Sequence, residues 1–181
     1  MSYREKHVLM EATDVSQSLS RIADEILERG DLDRLALVGI RTRGVPLAQR
    51  LAAMIGSKAN FHVPVGVLDI TLYRDDLTDI ASQPLVRPTV LPFPVNGQRI
   101  VLVDDVLYTG RTVRAALDEL IDFGRPKRIE LMVLVDRGRR ELPIMPDYVG
   151  KHVETSSTQM VSVLLSEQDG RDRVVLMEEA D

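Results

Sequence analysis

Residues 100–112 read Ile100-Val101-Leu102-Val103-Asp104-Asp105-Val106-Leu107-Tyr108-Thr109-Gly110-Arg111-Thr112, and no other segment constrains the architecture as tightly. The apolar run lacks polar alternation, so it predicts a strand over 100–106 covered on both faces, as in a parallel sheet. Val113, Ala116, Leu117, Leu120 and Ile121 then recur at helical spacing, so a helix with one buried face begins near Arg111. The N–H groups at such a helix start lack intrahelical partners, and Gly110 lets that backbone approach a ligand without an intervening Cβ. Thr109 and Thr112 add hydroxyl donors, which makes the turn suited to a phosphate. Asp104 and Asp105 are acceptors only and suit sugar hydroxyls, or Mg²⁺ through its waters. The bland alternative is a helix cap behind two solvated aspartates.

Composition sets the outer bounds. At 181 residues the chain reads as a single domain, 1–181. A domain of that size buries about 70% of its unfolded surface and needs no disulfide or structural metal. The absence of cysteine removes thiol chemistry and Cys-based zinc sites. With no signal-like leader and no long apolar span, a soluble cytoplasmic protein without membrane contact is expected. His7, His62 and His152 are scattered, so no metal ligand set is assigned. A formal net charge of −5 argues against blanket nucleic-acid binding. Arg125, Lys127, Arg128, Arg137, Arg139 and Arg140 nevertheless crowd into one short stretch, either a local basic face or a solvated surface.

Outside the central motif the chain alternates helix and strand. Val15, Leu19, Ile22, Ala23, Ile26 and Leu27 keep helical spacing, with Asp14 and Gln17 as a capping box and Gly30 as a stop. A strand over 35–40, a helix over 45–55 closed by Gly56, a strand over 63–70 and a further strand over 128–135 complete right-handed βαβ units. Ligands should collect at the strand C-termini near a topological switch point. Residues 141–178 hold short apolar runs between prolines and glycines and read as a hood with hairpins.

Three more segments point to the same pocket. Arg41-Thr42-Arg43-Gly44 follows the first buried strand and opens a helix, giving either a second anion site or an ordinary turn with solvated arginines. Two anion sites imply a doubly phosphorylated ligand. The stretch between Ile70 and Arg99 carries Pro84, Pro88, Pro92 and Pro94 and is long for a passive connection. It reads as a lid with Tyr73 and Arg74 nearest the chemistry, or else as a linker. Val135-Asp136-Arg137-Gly138 ends the last sheet strand, where it can face the sugar or form a structural salt bridge.

The pattern of four apolar residues, two aspartates and Thr-Gly-x-Thr resembles the phosphoribosyl diphosphate (PRPP) signature of the type I phosphoribosyltransferases. Joined to "GIRTRG", "DITLYRDDL" and "VDRGRRELP", it resembles the pyrimidine-operon regulators with uracil phosphoribosyltransferase activity, the PyrR family. The resemblance covers about Leu19 to about Val175. It implies an α/β fold: a mostly parallel twisted sheet flanked by helices, a lid or β-arm at about 71–98, and a hood at about 139–181. It also implies a pentosyltransferase that forms UMP from uracil and PRPP, as a homodimer or higher homo-oligomer.

Site roles follow from the same likeness. Asp104, Asp105 and Arg74 would serve catalysis, and Mg²⁺ would be held mainly by the diphosphate. Thr42, Arg43 and Gly44 would hold the leaving pyrophosphate. Val106, Leu107, Tyr108, Thr109, Gly110, Arg111 and Thr112 would bind the nucleotide phosphate, and Asp136 and Arg137 the uracil edge. A second implied role is sensing UMP or UTP while binding a pyrimidine-operon messenger RNA hairpin. Arg21, Arg139, Arg140 and Lys151 would face that RNA, and Ser20 and Thr42 match in character. Asp24 and Arg139 stand where the family often has histidine, and Met145-Pro146 where Arg-Ala is common. A phosphoribosyltransferase for another base, without an RNA role, is the alternative.

Overall fold

The computed structural model describes residues 3–74 and 87–180. In chain order the elements are β1 (Tyr3–Glu11), α1 (Ala12–Glu28), β2 (Leu35–Ile40), α2 (Gly44–Ala59), β3 (Val65–Leu68) and β4 (Arg99–Leu107). They continue with α3 (Arg111–Asp122), β5 (Arg128–Asp136), β6 (Tyr148–His152), β7 (Gln159–Leu164), α4 (Ser166–Asp169) and β8 (Arg173–Glu179). Strands β3-β2-β4-β5-β6 form a five-stranded sheet in which every pairing is parallel. Strands β1-β8-β7 form a separate antiparallel sheet.

The apolar runs behave as a parallel sheet requires. All six residues of β2 are buried, as are the first six of β4 and the last seven of β5. Alternate residues of these strands face two cores. Leu37, Val101, Val103, Met132 and Leu134 pack with α1, α2 and the small sheet, while Val38, Ile100, Leu102 and Val133 pack with α3. Each fully buried Leu, Ile or Val contributes about 1.5–3 kcal/mol relative to exposure, so these two layers supply most of the driving force.

Several local expectations need correction. The helix α1 starts two residues before Asp14: Glu11 is the N-cap and pairs reciprocally with Asp14, so the capping box is Glu11–Asp14. Gly30 does follow the end of α1 in the left-handed region, at φ 70°. Helix α2 runs past Gly56 and is closed by Asn60 at φ 51°. The hood is not one C-terminal block: residues 148–152 return to the main sheet as its edge strand, and the N-terminal β1 joins β7 and β8 in the small sheet. Of the expected lid or β-arm, residues 87–98 contain no strand beyond a single bridge. Val90 bridges to Val67, Val95 is buried, and Leu91 and Phe93 pack against the α3-side core. The rest of the expected lid, 75–86, lies outside the described residues. Among the described residues no helix is long and apolar enough to cross a membrane.

Candidate active site

Topology places a crevice before any side chain is considered. From β2 the chain crosses by α2 to β3 on one side, and from β4 by α3 to β5 on the other, with the two helices on opposite faces. The turn point lies between the C-terminal ends of β2 and β4, where open α/β sheets bind ligands. A cleft of about 530 Å³ sits there, lined by Arg41, Thr42, Arg43, Asp69, Ile70, Thr71, Arg74, Arg87, Asp104, Asp105, Val106 and Thr112. That volume accommodates a nucleotide-sized ligand.

The floor of the cleft is the end of β4. Asp104 is only 6% exposed, and its Oδ1 accepts the Asp105 N–H at 2.9 Å. Asp105 Oδ1 accepts the Val106 N–H at 2.9 Å in turn. Burial pushes the Asp104 carboxyl well above the usual carboxylate range, and the neighbouring Asp105 carboxylate adds to that rise. A buried acid beside a second carboxylate at an open cleft is costly to the fold and serves a ligand that supplies hydroxyls or positive charge.

The phosphate turn follows directly. Gly110 caps α3 at φ 93°, and Thr109 Oγ1 accepts the Arg111 N–H at 3.3 Å. A Cβ at residue 110 would approach Ile144 and Leu142 at 3.3–3.4 Å. The left-handed conformation therefore favours glycine here, and a Cβ would also press on this packing. Thr112 lines the cleft, whereas the Arg111 side chain turns outward to Glu141 at 2.7 Å. Arg111 thus contributes backbone to the turn.

The opposing turn, after β2, contains a cis Arg41–Thr42 peptide. Gly44 opens α2 hard against β4: a Cβ there would lie 2.3 Å from the Val103 carbonyl oxygen. That close approach brings the 41–44 turn beside Asp104. Arg41, named from sequence as part of this turn but given no separate role, lines the cleft, and its buried Nε has no hydrogen-bond partner among the described residues. Asp69 was missed. Its Oδ1 accepts from the Thr71 N–H at 3.0 Å and its Oδ2 from the Arg87 N–H at 2.8 Å. Burial alone would raise Asp69, but these bonds outweigh it and hold the carboxyl below its ordinary range. The signal for both residues was position: each immediately follows a parallel strand or its end.

Other expected site residues do different work. Tyr73 donates to Asp122 at 2.7 Å, at the far end of α3, so only Arg74 of that pair lines the cleft. Arg137 is buried, donating to Thr155 Oγ1 at 3.0 Å and the Gln159 carbonyl at 2.7 Å, with its guanidinium 3.8 Å from the Tyr108 ring centroid. Burial pushes this guanidinium down from its usual value. Asp136 accepts the Gly138 N–H at 3.0 Å and pairs with Arg140 at 2.7 Å. Both side chains therefore also brace the end of β5, with Arg137 stacked on Tyr108 and Asp136 holding Arg140. Arg140 donates to the carbonyls of Tyr108 and Ile144 at 2.9 Å. Arg139 donates to the Thr155 carbonyl at 2.8 Å. Arg21 and Lys151 instead share a separate groove between α1 and β6, with Gln17, Ser18 and Gly150.

Comparison with known proteins places this arrangement. The phosphoribosyl transferase domain matches residues 11–168. The chain is 60% identical over 179 residues to "Bifunctional protein PyrR" of Pelotomaculum thermopropionicum, covering 98% of this chain and 99% of that one. It is 60% identical over 176 residues to the protein of that name from Thermus thermophilus, covering 97% of each. Among solved structures, a hypoxanthine-guanine phosphoribosyltransferase from Bacillus anthracis superposes with a TM-score of 0.73 at 14% identity, covering 98% of this chain and 100% of that one. At that identity the likeness concerns the fold alone. With the switch-point cleft, its paired aspartates and its two facing turns, the chain belongs to the PyrR family of the type I phosphoribosyltransferases.

Proposed function

We propose that the protein transfers the phosphoribosyl group of PRPP to uracil, releasing pyrophosphate and forming UMP. One observation carries this reading. Two turns suited to anions, 41–44 and 108–112, face each other across the Asp104–Asp105 floor of one cleft. The Thr109–Thr112 turn takes the 5′-phosphate on backbone N–H groups and hydroxyls. The 41–44 turn, with Arg41 and Arg43, takes the diphosphate.

Departure of pyrophosphate leaves an oxocarbenium-like sugar. Asp104 and Asp105 orient the ribose hydroxyls and place negative charge beside the ring as positive charge develops. Among the described residues no group of three or more His, Cys, Asp or Glu side chains gathers to hold a metal. The carboxylates of Asp104 and Asp105 would suit Mg²⁺ that arrives with the diphosphate, held through its waters. When bound it would neutralise charge on the leaving group. Purified protein supplied with PRPP and Mg²⁺ should release pyrophosphate with uracil, and not with orotate, hypoxanthine or guanine. Release with a purine alone would move the protein to the alternative base specificity.

A regulatory role is the second part of the reading, with UMP or UTP sensed in the same cytoplasmic, homo-oligomeric protein. Relatives named as bifunctional support it, as does the groove holding Arg21 and Lys151. UMP should tighten binding of a pyrimidine-operon hairpin by about 1–3 kcal/mol, and affinity should fall steeply with salt. A gel-shift titration that finds equal affinity for that hairpin and a scrambled one would leave only the enzyme.

A further inference from the structure

The hood reaches the diphosphate turn through one short segment. Arg43 donates from Nε and Nη2 to the two carboxylate oxygens of Asp169, at 3.3 and 2.9 Å. Gln168 Nε2 donates to the carbonyl oxygen of Thr42 at 3.2 Å. We propose that Asp169 is a positioning residue for the diphosphate turn: it grips one edge of the Arg43 guanidinium so that the remaining nitrogen is presented to the leaving group. This rests on the function proposed above.

The alternative is that Asp169 competes with the diphosphate for Arg43. A competitor must be able to let go, and Asp169 is fixed from behind. Its Oδ2 also accepts the Leu165 N–H at 2.9 Å. The segment is stapled to α2 by Arg50, which pairs with Glu167 at 2.6 Å and with Asp172 at 2.7 Å. Arg50 is itself only 19% exposed, and a part-buried arginine held by two carboxylates makes a rigid strut. The Arg43–Asp169 pair is partly shielded, at 33% and 20% exposure, so its geometry is worth more than that of a surface ion pair. Arginine's planar fork makes the consequence directional: fixing the Nε–Nη2 edge fixes where Nη1 points.

The test separates the two turns by ligand. Pyrophosphate uses only the 41–44 turn, UMP only the 108–112 turn, and PRPP both. Asp169→Asn should weaken pyrophosphate binding and raise KM for PRPP by about tenfold, the scale of one charge-assisted hydrogen bond, while UMP affinity holds within about twofold. A merely structural bridge would weaken UMP equally, and a competitor would make pyrophosphate bind tighter; either result overturns the proposal. Arg43→Met and the double variant Arg43→Met/Asp169→Asn complete a cycle. Because Asp169 acts through Arg43, the double variant should bind pyrophosphate no worse than Arg43→Met, and additive losses would contradict this. Pyrophosphate binding by calorimetry needs no turnover. Failure of the wild type to release pyrophosphate with any base would therefore count against the proposed function, whereas unchanged pyrophosphate binding in Asp169→Asn would count against this inference.

Discussion

The two ends of the parallel sheet treat buried charge in opposite ways. At the N-terminal ends, Arg99 is fully buried and Glu130 nearly so. Arg99 donates to Glu130 at 2.9 Å, to Tyr148 at 3.0 Å, to the Ile26 carbonyl at 3.1 Å and to the Gly30 carbonyl. Tyr148 donates to Glu130 at 2.7 Å. Burial alone would raise Glu130, but the bonds from Arg99 and Tyr148 hold its carboxyl below the ordinary range. At the C-terminal ends, Asp104 is buried beside a second carboxylate, and burial drives it upward. A network of paired charges braces the scaffold, while a buried acid set beside a second carboxylate marks the place where a ligand completes the structure.

The comparison breaks most visibly at the lower end. Arg99→Met would strip Glu130 of its buried cation, leaving Tyr148 and the half-exposed Arg128 at 2.5 Å, and should cost about 3 kcal/mol, read from urea unfolding, while activity per folded molecule persists. Loss of activity at full stability would show that the two ends are not separate in function.

At the upper end the sign reverses. Asp104→Asn keeps the shape and removes a buried charge, so the variant should be at least as stable as the wild type. A carboxyl whose folded pKa is raised contributes stability that is fully present below its unfolded pKa and is lost as pH rises through the folded value. The wild type therefore loses stability across the window above about pH 4, the unfolded carboxylate pKa, and the variant does not. Its stability relative to the wild type should grow as pH rises above about 4, a check made by parallel unfolding curves. A constant difference would mean that the fold does not raise the Asp104 carboxyl.

The smallest effect belongs to the phosphate turn. Thr112→Val removes one hydroxyl, so PRPP and UMP affinities should fall together by about 1 kcal/mol, measured by calorimetry. An unchanged UMP affinity would put the phosphate elsewhere.

What the sequence disclosed tracks this same division. The upper end was legible because its residues are neighbours in the chain: an apolar run, two aspartates and a Thr-Gly-x-Thr turn lie within 100–112. The lower network joins residues 99, 130 and 148 across three strands, and no local pattern links them. Strand β1 went unseen because five of its nine residues are exposed at its start and its partner β8 lies at the other end of the chain. Strand β6 is five residues long and contains Gly150, a poor strand residue, placed where a Cβ would meet the Leu134 carbonyl at 2.4 Å. Arg137 and Arg140 show the complementary limit. Sequence reports their charge but not that Thr155, Gln159, Asp136 and Tyr108 already engage it.

The central claim is that the carboxylates at the end of β4 serve phosphoribosyl transfer and not the fold. Uracil-dependent pyrophosphate release by Asp104→Asn, at saturating PRPP and Mg²⁺, tests it most directly. Turnover should fall by more than about tenfold, with an unfolding midpoint no lower than wild type. Turnover within about twofold of wild type would contradict it, since one charge removed from the transition state must register in kcat.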